Sequence, residues 1–423
     1  VSARPGQPEP FIRGAAYLAS GNVPYPRANP TDTARLPADI WSAASIPVGV
    51  RLEMIGDALA VDVAYRTTNS NFGYRGDAAG TTFSVWRGGA QECEEPAVLG
   101  DGMVRLSLGI GSPDRPAVIY LPEGMQPIVL SLTAVGGEIA PAPALPRWLA
   151  YGDWTTQGWI ASGPSQGWAA IAARKAHLNL INMGYASAGR GEIASAEHIA
   201  GLHADVISIA YGESCWTRIP HSVGMVTEGF HAFLDVVRQG HPNTPIVVIS
   251  PVLRPDAEDM PNKLEASLSA IRQAIESAAK DRIRSGDRTL SLVVGDGLID
   301  ESHLADGIHP GDEGHKRIAA AVARALGVAM EAVESPVPLP GSNGTNPYVS
   351  GPPRMDYGVD DAIDSLGVLD PLGPLGSLGA VGSPGSPGSP MQSPLGSPHF
   401  NGTAHQDNEA SPQYQQDHLP SVN

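Results

Sequence analysis

The chain has 423 residues, enough for two or three domains, since a single core rarely grows past ~250 residues. Its 42% apolar and 17% charged residues are ordinary for a globular protein. The net charge of −17 argues against nucleic acid or an anionic membrane surface as partner, because both recruit basic patches.

Residues 1–44 read as an N-terminal extension. Residues 1–7 lack the apolar core of a secretory signal, so the expectation is cytoplasmic, with secretion open if a leader once preceded Val1. No run approaches the ~20 apolar residues that span a bilayer, so no membrane span is expected.

Residues 45–140 read as short strands separated by turns, a small jelly-roll-like β-sandwich. Strands are expected at 51–55 and 58–65, joined as a hairpin by Gly56-Asp57. Leu59, Val61, Val63 and Tyr65 alternate onto one face of the second strand, and Ala60, Asp62 and Ala64 onto the other. Further strands are expected at 82–86, 104–108, 117–121 and 128–132.

Across 147–330 strands alternate with helices, the signature of a parallel sheet with helical crossovers in a three-layer α/β/α arrangement. Strands are expected at 148–151, 180–182, 206–210, 245–250 and 290–294. Helices are expected at 164–176, at 262–285 with Leu264, Leu268, Ile271 and Ile275 on one stripe, and at 311–326 with Ile318, Val322 and Leu326 facing inward. Residues 334–423 are rich in Pro, Gly and Ser, with Gly-Ser-Pro repeats near 382–390. Such a composition cannot bury enough apolar surface to offset chain entropy, so a disordered tail is expected. Asn343 and Asn401 begin acceptor triplets for glycosylation, of a kind that arises by chance in such a tail.

Ligands of open α/β sheets bind beyond the carboxyl ends of the strands. Four loops leave such ends, at 152–158, 183–191, 212–218 and 306–310. In the last of these, Asp306-Gly-Ile-His309 spaces an acid and an imidazole so that the carboxylate can fix the ring's tautomer and the ring can act as general base. Cys93 and Cys215 cannot make a disulfide framework and match no metal site, and His221, His303 and His315 lack metal-ligand spacing. No metal and no organic cofactor is expected. Cys215 reads as a packed thiol, and Trp159, Trp168 and Trp216 either line a cleft or fill the core.

The block Tyr151-Gly-Asp-Trp-Thr-Thr-Gln-Gly158 resembles the first motif of the SGNH (GDSL-like) hydrolases, usually Tyr-Gly-Asp-Ser-Ile-Thr-Gln-Gly. Asn182-Met-Gly-Tyr-Ala186 resembles the second block, Gly212-Glu-Ser-Cys215 sits where the third has Gly-x-Asn, and Asp306-Gly-Ile-His-Pro310 matches the fifth. Together these blocks cover the whole α/β region, and a preceding β-sandwich is similar to that of two-domain members, some of them carbohydrate esterases. The resemblance implies an esterase-like protein acting on a small-molecule ester or acylated sugar. It assigns Asp306 and His309 as acid and base, and Trp154, Gly184 and Ser214 to the oxyanion hole. Asp153, Thr155 and Arg190 fall where substrate would be bound or the pocket rim ordered.

Two positions depart from the family. Trp154 stands at the nucleophile serine, and Ser214 at the oxyanion-hole asparagine. An indole has no nucleophilic oxygen and fills space meant for an acyl carbonyl. The remaining routes are a substitute nucleophile such as Thr155, water activated by His309, non-hydrolytic acid/base chemistry by the Asp306–His309 pair, or ligand binding without catalysis. Serine proteases stripped of their triad keep roughly 10³–10⁴-fold catalysis over water from the oxyanion hole and binding.

Overall fold

The computed structural model describes residues 6–18, 23–70, 80–111, 113–217 and 219–334. The expected disordered tail, apart from its first residue Glu334 at the end of the last helix, and both glycosylation triplets lie outside these residues.

The first part of the chain holds β1 (Ile12–Arg13), α1 (Ala38–Ala44), β2 (Arg51–Gly56), β3 (Ala60–Thr67), β4 (Thr82–Arg87), β5 (Ala90–Pro96), β6 (Gly100–Ser107), β7 (Ala117–Tyr120), β8 (Pro127–Val135) and β9 (Ile139–Pro141). These strands form two antiparallel sheets. One runs β1-β2-β7-β4-β5 with β9 also paired to β2, and the other runs β6-β3-β8. Leu52, Met54, Phe83, Val85 and Ile119 of the first meet Val61, Val63, Tyr65, Leu106 and Leu132 of the second in one core, which makes a sandwich.

The alternation in β3 is as expected at Val61, Val63 and Tyr65, but Leu59 precedes the strand and is exposed. The expected hairpin is not formed, because β2 and β3 lie in different sheets and Gly56-Asp57 crosses between them. Gly56 has φ +130°, and a side chain there would lie 2.2 Å from the Glu138 carbonyl oxygen, so the connection needs glycine for a close approach rather than for a two-residue turn.

The second part holds β10 (Arg147–Gly152), α2 (Trp154–Gln157), α3 (Trp168–Ala176), β11 (Asn179–Gly184), α4 (Ile193–Gly201), β12 (Val206–Ala210), α5 (Glu213–Trp216), α6 (Val223–Gly240), β13 (Ile246–Ile249), α7 (Leu268–Arg284), β14 (Leu290–Val293) and α8 (Asp312–Glu334). All five strands are parallel, in the order β11-β10-β12-β13-β14. Buried on both faces, they are nearly continuous apolar runs. Tyr151, Ile181, Ile207 and Val248 pack against α1, α4, α6 and α7, whereas Trp148, Ala150, Leu180 and Val247 pack against α3 and α8. The result is a three-layer α/β/α domain. Its strand order reverses at β10, which places the ligand crevice of such sheets at the end of that strand.

Helix boundaries differ from expectation where side chains cap the backbone. α7 starts at Leu268 rather than near 262, because the Ser267 hydroxyl accepts the Ala270 N–H at 3.2 Å. Asn262 Oδ1 accepts the N–H groups of Leu264 and Ala266 and holds 262–266 as a turn, so Leu264 is exposed instead of facing the core. α3 begins at Trp168, α8 runs on to Glu334, and α4 and α6 form two further crossovers whose bounds were not among the expected helices.

The N-terminal extension is part of this packing. Ile40 and Ala43 of α1 join the α/β core. Arg27, 1% exposed, reaches beneath β11 and α2: its guanidinium donates to the carbonyls of Ile46 (2.6 Å), Ala43 (2.6 Å), Asn182 (3.2 Å) and Gly184, and to Gln157 Oε1 (3.3 Å). Tyr185 lies under its charge at 5.2 Å.

Candidate active site

At the end of β10 the chain turns from strand into α2 at Gly152. A Cβ there would lie 2.1 Å from Thr156 Oγ1 and 2.2 Å from the Ala210 carbonyl oxygen, so only glycine permits the turn. Asp153 follows, 2% exposed, and its Oδ2 accepts the N–H groups of Gly212 (3.2 Å) and Glu213 (3.1 Å). Burial raises its pKa well above the carboxylate range and the nearby Glu213 carboxylate adds to this, against the pull of the backbone donors. Asp153 therefore ties the first block to the third. Its Oδ2 is thereby engaged by the backbone of that block.

Trp154 comes next, half-buried. Its indole N–H donates to the Glu213 carboxylate, whose other oxygen accepts the Thr155 hydroxyl at 3.0 Å. One face of the ring carries the Arg254 guanidinium at 4.9 Å, and the His309 ring meets the indole at 4.8 Å and 87°. Trp216 lies on the same guanidinium at 5.3 Å, while Trp159 flanks His309 at 6.4 Å. The Trp154 ring is thus fixed on three sides. Thr155 Oγ is directed at Glu213.

His309 and Asp306 are paired as expected, Nδ1 to Oδ2 at 2.8 Å. Asp306 Oδ1 also accepts the N–H groups of Ile308 (3.0 Å) and His309 (2.7 Å), so the loop itself sets the carboxylate. Partial burial raises the Asp306 pKa, but these donors, the ring and its charge outweigh it and hold the carboxyl below its usual range. With Nδ1–H on Asp306, the lone pair of His309 sits on Nε2. That atom is buried and has no hydrogen-bond partner.

The remaining expected residues are engaged elsewhere. The Gly184 N–H donates to Asn182 Oδ1 at 2.8 Å, and a Cβ on Gly184 would lie 2.3 Å from the Gln157 nitrogen. Gly184 is therefore a close-packing position beneath α2, with its N–H engaged by Asn182. Ser214 is fully buried and its hydroxyl has no partner. Arg190, 6% exposed at its side chain, bonds Asp39 at 2.9 Å and the Ser187 carbonyl at 3.0 Å, and lies 3.6 Å from Glu192. It fastens the second block to α1 instead of standing free for substrate.

Two residues that shape the site were not anticipated. Glu213 is the variable position of the Gly-x-Asn block, and the signal for it was Trp154 itself, since a half-buried indole N–H needs an acceptor. Arg254 follows β13, in a fifth loop leaving a strand's carboxyl end. Below Asp153 and Glu213, with Thr155, Ser250 and Val252 among the walls, is a cavity of about 20 Å³, room for one water.

Residues 147–327 match the GDSL-like Lipase/Acylhydrolase family. No curated protein matches the chain. Among solved structures, the chain is 24% identical to the salicylyl-acyltransferase SsfX3 from a tetracycline biosynthetic pathway, with a TM-score of 0.64 over 75% of this chain and 94% of that one. A GDSL-like protein from Bacteroides ovatus is 19% identical, with a TM-score of 0.64 over 76% and 96%. A family two carbohydrate esterase from Clostridium thermocellum is 15% identical, with a TM-score of 0.51 over 67% and 92%. These likenesses are of fold.

Proposed function

We propose that the α/β domain of this chain, whose residues 147–327 match the GDSL-like lipase/acylhydrolase family, binds a small acyl or acylated-sugar ligand without cleaving it. The observation that carries this reading is the burial of His309 Nε2 next to the Trp154 ring. A general base must come within ~3 Å of the proton it takes, directly or through one water. Here the base atom is buried without a partner, so neither a substrate hydroxyl nor water reaches it while the indole is in place. The oxyanion side supports the same reading, because the Gly184 N–H is spent on Asn182 and the Ser214 hydroxyl is buried.

The retained Asp306–His309 pair favours one second reading, acid/base chemistry that begins once Trp154 moves aside. Hydrolysis of p-nitrophenyl acetate separates the two. The binding reading expects wild type and His309→Ala to match the buffer rate. Turnover by wild type that His309→Ala abolishes would replace it with the second.

A further inference from the structure

Three polar atoms in the loops around Trp154 are buried without a hydrogen-bond partner: Arg254 Nη1, His309 Nε2 and Ser214 Oγ. An unsatisfied buried group costs about 1–3 kcal/mol, and folded proteins leave few of them. Two of these atoms belong to side chains that rest on the same indole, Arg254 on its face and His309 against it. Arg254 is 7% exposed and rigidly held. Its Nε and Nη2 donate to the Asp256 carboxylate at 2.9 and 3.1 Å, and its guanidinium carbon lies 4.9 Å from the Trp154 ring centre and 5.3 Å from that of Trp216. The guanidinium fork is therefore half used, with Nη1 left over.

We propose that Arg254 and His309 form a binding site for a small organic carboxylate, a site that the Trp154 indole covers in the free chain. The proposal rests on the binding reading above and names the ligand's chemistry. Arg254 Nη1 supplies a charge-assisted bond to one carboxylate oxygen. A proton taken up together with the ligand onto His309 Nε2, the lone-pair atom of the resting ring, supplies a second, with Asp306 stabilising the charge that forms. Asp256, Asp306 and Glu213 surround the site with negative charge, which limits the ligand to one charge and disfavours phosphates. Entry requires the Trp154–Glu213 hydrogen bond to break, so the apparent affinity is the intrinsic one scaled by the fraction of chains with the indole displaced.

The seven tryptophans give seven indole N–H signals in a nitrogen–proton NMR spectrum, and Trp154→Phe and Trp216→Phe assign the two that matter. Propionate is the probe and propionamide its neutral counterpart. Propionate is expected to shift the Trp154 and Trp216 signals saturably, at least tenfold more tightly than propionamide, with the other signals unmoved. Trp154→Phe keeps a ring but cannot bond Glu213, and should bind propionate at least threefold more tightly, read on Trp216. Arg254→Leu should abolish the response. Arg254→Lys, which keeps charge and stem, should weaken it at least tenfold and serves if the leucine variant fails to fold. Absence of saturation, equal binding of propionamide, or unchanged binding by Arg254→Lys overturns the proposal. Ester hydrolysis is read separately, so a chain that turns over p-nitrophenyl acetate overturns the binding reading whatever propionate does.

Discussion

Replacing Arg27 by methionine tests whether the N-terminal extension is integral to the α/β domain. Methionine fills the volume of the stem but donates nothing. The guanidinium hydrogen bonds to the carbonyls of Ala43, Ile46, Asn182 and Gly184 and to Gln157 Oε1 disappear together, in a region with almost no water access. Hydrogen bonds to charged groups contribute about 1.5–3 kcal/mol each, but they are not additive, and the buried charge's own desolvation offsets part of the sum. A net loss of about 4 kcal/mol is the expectation, in the range found when one side of a buried charged network is removed. At about 2 °C per kcal/mol for a domain of this size, the thermal midpoint should fall by roughly 8 °C. Circular dichroism at 222 nm during heating measures it. Arg27→Lys keeps the charge with three donors and should fall between the two. A drop of under about 2 °C for Arg27→Met would refute the reasoning and make the extension a loosely held arm.

Trp154→Ser should create ester hydrolysis that His309→Ala removes, because it uncovers Nε2 and restores a hydroxyl at the strand's end. Adding Ser214→Asn should raise that rate by about 10²–10³-fold, the usual worth of one oxyanion-hole donor. Absence of gain in the double variant would mean that the loops, not the two substitutions, have closed the site. Asp306→Asn probes the acid limb of stability. A carboxyl held below its usual pKa stabilises the fold above the unfolded value near ~3.9, and that contribution is lost as the pH falls through the folded value. The variant's acid unfolding should therefore lose part of its pH dependence below about pH 4, which a pH series of urea midpoints would detect. An identical pH slope in both proteins would contradict the depressed Asp306 carboxyl.

What the sequence disclosed was what local pattern controls. The continuous apolar runs of β10, β12 and β13 and the alternation in β3 mark buried strands whatever their partners, and Asp306-Gly-Ile-His309 is close enough in sequence to form its own pair. Long-range pairing was not legible. Gly56-Asp57 has the chemistry of a hairpin turn, yet the choice between two sheets is made by the core that each strand faces. Glu213 and Arg254 acquire meaning only because the fold carries them across 59 and 100 positions of sequence to Trp154. The motif position of Gly184 does not reveal that Asn182, two residues earlier, takes its N–H. Arg190 shows the same limit, since its partner Asp39 comes from the extension, 151 residues away.

Chemical access to His309 tests the central claim most directly. Diethyl pyrocarbonate modifies accessible imidazole nitrogens, and mass spectrometry of the digested chain reports each histidine separately. His203, with 72% of its side chain exposed, is the internal standard. The account predicts that His309 reacts far more slowly than His203 in wild type, and that Trp154→Ala brings the two rates together. A His309 that reacts as fast as His203 in wild type would mean that Trp154 does not cover the base.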